Sequence, residues 1–321
     1  MINCLLHHHL RVLAAGLLWS VASASPGDVD FTFGDTGVVN RGLNHLGQGL
    51  AVQSDGKMLV AGYSFTESRS AFELARYTAS GKLDTTFGSS GFVAPLSQNY
   101  LEAHKVVVQG DGKILVSATS FDGTLFSFAV LRYLADGRLD MNFGTEGKAM
   151  PSFPDGAGPA LGLALQQDGK IIVAGPARSG LQTGFGVARY LADGSLDTDF
   201  GLGGTTVVKI GPSSAEAFDV AVQNDGKIVV AGYANTPQGY PNFALVRLKS
   251  DGDVDATFGN SGIVTTTVHR SGVGRGVALQ PDGKILMVGR APLEENSAQI
   301  AFAVVRYAND GSVDQNFGVQ G

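Results

Sequence analysis

Five arginines, Arg76, Arg132, Arg189, Arg247 and Arg306, each stand eight residues before an aspartate: Asp84, Asp140, Asp197, Asp255 and Asp314. A planar guanidinium fork suits a carboxylate, and a short turn between the two can bring them together. The alternative for such groups is a catalytic use. Chemistry on a substrate needs one asymmetric constellation, whereas this arrangement recurs five times. A structural Arg–Asp pair in each unit is the expectation.

A second set of residues is not repeated. Seven residues before the aspartate of each Asp-Gly-Lys tripeptide stand Gln48, His104, Leu161, Phe218 and Arg275, a column whose chemistry changes in every unit. His45, Glu102, His269 and Arg270 add further unrepeated polar groups. His45, Gln48, Glu102, His104, Phe218, His269, Arg270 and Arg275 are therefore the candidate ligand-binding residues. Asp251-x-Asp253-x-Asp255 has the start of a calcium loop, yet Ala256 stands where that loop needs Gly and Gly262 where it needs an acid. No G-x-S-x-G, H-E-x-x-H or phosphate-binding glycine loop is present. No catalytic residue, cofactor or metal is expected.

The elements that position these residues follow from the repeat. Asp-Gly-Lys begins at Asp55, Asp111, Asp168, Asp225 and Asp282, and Phe-Gly recurs at Phe33, Phe87, Phe143, Phe200, Phe258 and Phe317. Asp-Gly between β-rich runs signals a hairpin, with a type I′ turn expected. In one unit Val220–Gln223 leads in, Ile228–Gly232 leads away, Phe243–Leu248 is a third strand, and Val254–Val264 carries the fourth. Runs such as Ile171-Ile172-Val173-Ala174 barely alternate between apolar and polar, so the sheets must be covered on both faces. Blades packed radially supply that cover, and the fold predicted is an all-β, five-bladed β-propeller with four strands per blade. A β-sandwich array is the alternative.

The joined pattern, seen in Val220–Gly232 and Phe128–Gly147, resembles the bacterial delta-60 repeat. That resemblance spans residues 28–321 and implies an exported bacterial propeller, with no activity, cofactor or catalytic residue attached to it. Leu248 in place of Tyr, Ser117-Ala118 in place of Ala-Gly, and Ser80 in place of Asp are mild departures.

A propeller must join its last blade to its first or leave sheet edges open. Gly37-Val38-Val39 offers the strand that the last unit lacks, so ring closure by strand exchange between the termini is predicted. Val29–Gly37 also duplicates Val313–Gly321, leaving one copy redundant. In an antiparallel meander the two glycine turns of each unit fall on one face of the disc, and the loops of varying length on the other. Binding residues concentrate on irregular loops carried by rigid scaffolds, so the variable-loop face is the candidate site.

Composition bounds the partners. The 321 residues carry a net charge of -6, only 16% charged residues and 45 glycines, which suits short strands and tight turns. An acidic chain with no Lys/Arg cluster excludes a nucleic-acid protein. Residues 1–24 have the layout of a secretory signal: an apolar run Val12–Val21, then Ala22-Ser23-Ala24. Cys4 and His7-His8-His9 would leave with it, and residues 25–321 would form one propeller domain, exported to the periplasm or beyond. No other segment has the length and apolarity of a membrane span. The function expected is a non-catalytic binding or interaction scaffold for an extracellular or cell-envelope protein or glycan. An extracytoplasmic propeller enzyme, a hydrolase or lyase using the same face, is the alternative.

Overall fold

The computed structural model describes residues 29–34, 36–40, 45–65, 70–93, 100–121, 123–295, 297–318 and 321. The segment read as a secretory signal lies outside the described residues. Every strand belongs to an antiparallel meander. Blade 1 holds β1 (His45–Val52), β2 (Met58–Phe65), β3 (Ser70–Tyr77) and β4 (Phe92–Val93). Blade 2 holds β5 (Tyr100–Val108), β6 (Ile114–Phe121), β7 (Phe126–Tyr133) and β8 (Lys148–Ala149). Blade 3 holds β9 (Gly162–Leu165), β10 (Ile171–Ser179), β11 (Gln182–Tyr190) and β12 (Thr205–Val208). Blade 4 holds β13 (Ala215–Val222), β14 (Ile228–Asn235), β15 (Pro241–Leu248) and β16 (Ile263–Thr266). Blade 5 holds β17 (Val273–Leu279), β18 (Ile285–Pro292) and β19 (Ile300–Tyr307), three strands among the described residues. The chain is an all-β, five-bladed propeller.

The Asp-Gly-Lys hairpins are one residue longer than a two-residue type I′ turn would make them, and this corrects the turn type. Gly56 takes a positive φ of 79° but Asp55 does not, and Gly56 N–H donates to the Gln53 carbonyl at 2.9 Å. That is a type I turn followed by a left-handed glycine, with Gln53 N–H closing on the Lys57 carbonyl. The aspartate has its own task. Its Oδ1 accepts the lysine N–H two residues on, in all five units.

Stacking of blades explains the unbroken apolar runs. The buried side chains fall into four clusters, and each cluster is one blade-to-blade interface. Phe72 and Leu74 of blade 1 pack with Val106, Val116 and Tyr133 of blade 2. Phe128 and Val130 meet Ile171 and Val173 of blade 3, and Phe185 and Val187 meet Val220 and Val230 of blade 4. Phe243 and Leu245 meet Ile285 and Met287 of blade 5. Burying one such phenylalanine contributes roughly 1.5–3 kcal/mol.

A polar latch accompanies each interface. Gly88 N–H donates to Asp136 O, Gly144 to Asp193 O, Gly201 to Asp251 O and Gly259 to Asp310 O, each at 2.8 Å and each from one unit to the next. At the start of the chain Gly34 N–H donates to Ser80 O at the same distance, so Phe33-Gly34 latches the turn of blade 1. This gives the first copy of the duplicated motif a place at the turn of blade 1. Residues 38–40 stay beside blade 1, and the described residues contain no pairing between them and β19. Blades 1 to 5 mate in series, and no buried cluster joins blade 5 to blade 1 among the described residues.

Candidate functional site

The unrepeated column has a structural cause. In β1, β5, β13 and β17 the pairing to the next strand slips by one residue between Gly47 and Gly49, Ala103 and Lys105, Ala217 and Asp219, and Gly274 and Gly276. The extra residues are Gln48, His104, Phe218 and Arg275. Leu161 lies just before the first residue of β9. A β-bulge leaves its extra residue outside the ladder and re-aims its side chain. Each unit therefore presents one free-choice residue at the same place, near the variable-loop end of its innermost strand.

Each bulged residue meets a partner on the second strand, six positions after the lysine of Asp-Gly-Lys. Gln48 hydrogen-bonds the Tyr63 hydroxyl. His104 Nε2 lies 2.6 Å from Thr119 Oγ1. Burial pushes the imidazole down to about 4, against a smaller opposing pull from Glu102, so His104 is neutral at pH 7. Phe218 and Tyr233 stack at 5.9 Å between centroids. The Arg275 guanidinium lies 3.9 Å from the Phe218 centroid, within cation–π range. Burial, reinforced by Glu216, raises the Tyr233 hydroxyl to about 12. In blade 5 the corresponding partner is Arg290, close enough that its charge disfavours the charged form of Arg275, second to desolvation. Phe218, Tyr233, Glu216, Arg275 and Arg290 thus form one patch across blades 4 and 5, with both arginines exposed.

One position further along, the strands close on each other. A Cβ on Gly49 would sit 2.8 Å from His104 O, and one on Gly162 would sit 3.0 Å from Asp219 Cα. Those glycines leave room for a brace: Lys105 of blade 2 reaches Asp219 of blade 4 at 3.1 Å. Asp219 Oδ2 also accepts Val277 N–H of blade 5 at 3.1 Å.

The other candidates lie apart. His45 Nδ1 pairs with Glu73 Oε2 at 2.9 Å within blade 1. Arg270 lies over the Tyr240 ring, 4.4 Å from its centroid, and donates to its hydroxyl. His269 is exposed, with a positive φ of 50°. Of the eight candidates, the structure brings Phe218 into contact with Arg275. It places Glu102 and His104 within electrostatic reach of each other. Tyr63, Thr119, Tyr233 and Arg290 were missed by sequence reasoning. Their signal was the same as the first column's: a fixed offset from Asp-Gly-Lys whose residue changes in each unit.

The repeated pairs sit on the opposite face. Arg76, Arg132, Arg189, Arg247 and Arg306 Nε lie 2.7–2.9 Å from Asp84, Asp140, Asp197, Asp255 and Asp314 Oδ2. Each guanidinium also lies 4.5 or 4.6 Å from the centroid of its unit's Phe-Gly ring, Phe87, Phe143, Phe200, Phe258 or Phe317. Four reach onward to the next blade, where Nη1 donates to Ala135 O, Ala192 O, Ser250 O and Asn309 O. Lys57, Lys170, Lys227 and Lys284 complete four of the clusters at 2.9–3.5 Å from the aspartate. Burial raises Asp255, but the Thr257 hydroxyl and N–H, Arg247 and Lys227 outweigh it and hold the carboxyl at about 2. Among the described residues no group of three or more His, Cys, Asp or Glu is arranged to hold a metal ion.

Comparison with known proteins bears on the fold. No curated protein matches the sequence. A protein of unknown function from Dyadobacter fermentans DSM 18053 is similar in structure at a TM-score of 0.50 and 14% identity, over 80% of this chain and 74% of that one. A polysaccharide lyase of family PL25, an ulvan lyase, is similar at a TM-score of 0.51 and 12% identity, over 82% of this chain and 64% of that one. At these identities the likeness is one of fold. The family model for a domain of unknown function, the DUF5122 beta-propeller, matches residues 53–87, 109–143, 166–200, 223–258 and 280–317. With one match in each blade and more than half of its length covered, the chain belongs to the DUF5122 β-propeller family.

Proposed function

We propose that this protein is an exported, non-catalytic scaffold that binds an anionic ligand on its variable-loop face, with delta-60 repeats as its blades. One observation carries the reading: four equivalent bulges, with Leu161 at the same place before β9, hold five different side chains, and those of blades 4 and 5 assemble into the Phe218–Tyr233–Arg275–Arg290 patch. Two exposed guanidinium groups beside stacked rings suit a carboxylate or a sulfate next to a ring-shaped body. An acidic glycan of the cell envelope has both features. Scatter of the histidines supports binding over catalysis, because His45 and His104 sit with separate partners and His269 is exposed on another loop. The layout of residues 1–24 supports export.

The test is a screen of purified protein against acidic and neutral glycans and envelope fractions. An acidic glycan should bind, and Arg275→Ala or Arg290→Ala should weaken it about tenfold, consistent with loss of one charge-assisted contact. Equal binding of neutral glycans, or no effect of either substitution, would remove this patch from the account. Turnover of a bound glycan would favour the hydrolase or lyase reading instead. Fractionation of the native host, with sequencing of the protein's N-terminus, tests export.

A further inference from the structure

The patch on blades 4 and 5 continues toward blade 3 through Glu216. Its carboxylate accepts the Tyr233 hydroxyl, and the same residue is a wall of a groove of about 380 Å³ at the loop end of blade 3. That volume is within the range of small-molecule sites. The opposite wall is the β6–β7 hairpin of blade 2, with Thr124, Leu125 and Phe126, and the floor is residues 156–158 and 176–178.

A departure from the repeat builds that floor. At the position of Glu216, nine residues before the aspartate of Asp-Gly-Lys, blade 2 has Glu102 but blade 3 has Pro159. Proline gives the ladder no N–H, and β9 starts only at Gly162, whereas β13 starts at Ala215. Ahead of the proline the chain returns to β10: Gly158 N–H donates to Pro176 O at 2.8 Å, and Arg178 N–H to Gly156 O at 2.9 Å. Blade 3 thus adds no acid to the groove at this position. Arg178 is exposed there, whereas the groove's two carboxylates are turned to partners. Asp155 Oδ2 accepts Gly180 N–H at 2.7 Å, and Glu216 holds Tyr233. Phe126 is 48% exposed, with its ring set against Phe121 at 4.6 Å between centroids.

Blade order therefore sets charges of alternating sign across the face: Arg178 in blade 3, Glu216 in blade 4, Arg275 and Arg290 in blade 5. We infer that the ligand is a glycan chain in which acidic units alternate with neutral ones, an inference that rests on the proposed binding of an acidic glycan. One acid lies on Arg275 and Arg290, beside the Phe218 and Tyr233 rings. The neutral unit passes Glu216 and donates a hydroxyl to its carboxylate, which can only accept. The next acid meets Arg178, with a sugar ring against Phe126. A chain charged at every unit would set an acid against Glu216, and that repulsion would offset the gain at Arg178.

Titration calorimetry with fragments of fixed length tests this. The probes are hyaluronan and unsulfated chondroitin fragments of two and six sugars, in which a uronate alternates with a neutral sugar, and a galacturonate hexamer charged at every unit. The alternating six-sugar fragments should bind at least tenfold more tightly than the two-sugar ones. Arg178→Ala or Phe126→Ala, both at exposed positions, should keep the β-sheet circular dichroism and remove that advantage. The galacturonate hexamer should bind more weakly than the alternating hexamers, and Glu216→Gln should narrow the gap. Equal affinity at the two lengths, with Arg275→Ala still weakening both, would overturn the chain inference and leave the patch as the binding site. A galacturonate hexamer bound as tightly as the alternating ones would overturn the alternation. Failure of every acidic fragment to bind would count against the acidic-glycan reading itself, and this inference would fall with it.

Discussion

At the scale of single residues, the same arginine does more in an interior blade than at the end of the series. Arg132 binds Asp140, lies over Phe143 and donates to Ala192 O of the next blade, and Lys113 turns to Asp111 rather than to Asp140. Arg132→Ala leaves a buried carboxylate without its cation and should cost about 3–5 kcal/mol in urea unfolding. Arg306→Ala should cost only about 1 kcal/mol, because Arg306 has no onward carbonyl among the described residues and Lys284 stays 3.1 Å from Asp314. Acid titration separates two further groups. The folded-state pKa of His104 lies below the ordinary imidazole value, so its contribution is complete above about pH 6.5 and is lost as pH falls toward about 4. Asp255 is likewise depressed, so its contribution is complete above about pH 4 and is lost as pH falls toward about 2. The urea midpoint should therefore decline in two stages, and His104→Gln should remove the upper one alone. The eight-residue Arg–Asp spacing was readable from sequence, since one turn joins the partners. The onward bond to the next blade was not, because its acceptor lies about 60 residues away and is a backbone atom that any residue type supplies.

At the scale of elements, glycines of one conformation serve two purposes. Gly112 has a φ of 84°, and a Cβ there would meet only Ala135 Cβ at 3.6 Å. Gly137 has a φ of 91°, and a Cβ there would lie 2.8 Å from Gly88 N and 2.9 Å from the Phe87 ring, inside the latch between blades 1 and 2. Gly112→Ala should cost about 1–2 kcal/mol from left-handed backbone strain alone. Gly137→Ala should cost more than twice that, since the latch must open as well, and chemical denaturation of the two variants makes the comparison. Sequence gave the hairpins through Asp-Gly but not their turn type, because the aspartate side chain can cap a type I turn as readily as it tolerates the left-handed region. The bulges were hidden for a different reason. A run such as Ala103-His104-Lys105-Val106 looks continuous, and only pairing with Ser117 and Ala118 shows that His104 is the extra residue.

At the scale of the whole molecule, five similar blades are held by interfaces that run one way, each blade's phenylalanine edge entering the next blade's socket. The five copies and their apolar runs made this stacking legible in the sequence. Closure was not legible, because Val29–Gly37 and Val313–Gly321 are near-duplicates and sequence cannot say which copy holds which turn. Here Gly34 holds Ser80, and Phe302 is 89% exposed. The most direct test is a set of Phe→Ala substitutions at residues 72, 128, 185, 243 and 302, each unfolded in urea. Series stacking predicts losses of about 3–5 kcal/mol at the first four positions and a change within about 0.5 kcal/mol at Phe302. A loss at Phe302 equal to the others would contradict it, since that side chain would then be buried within its own chain.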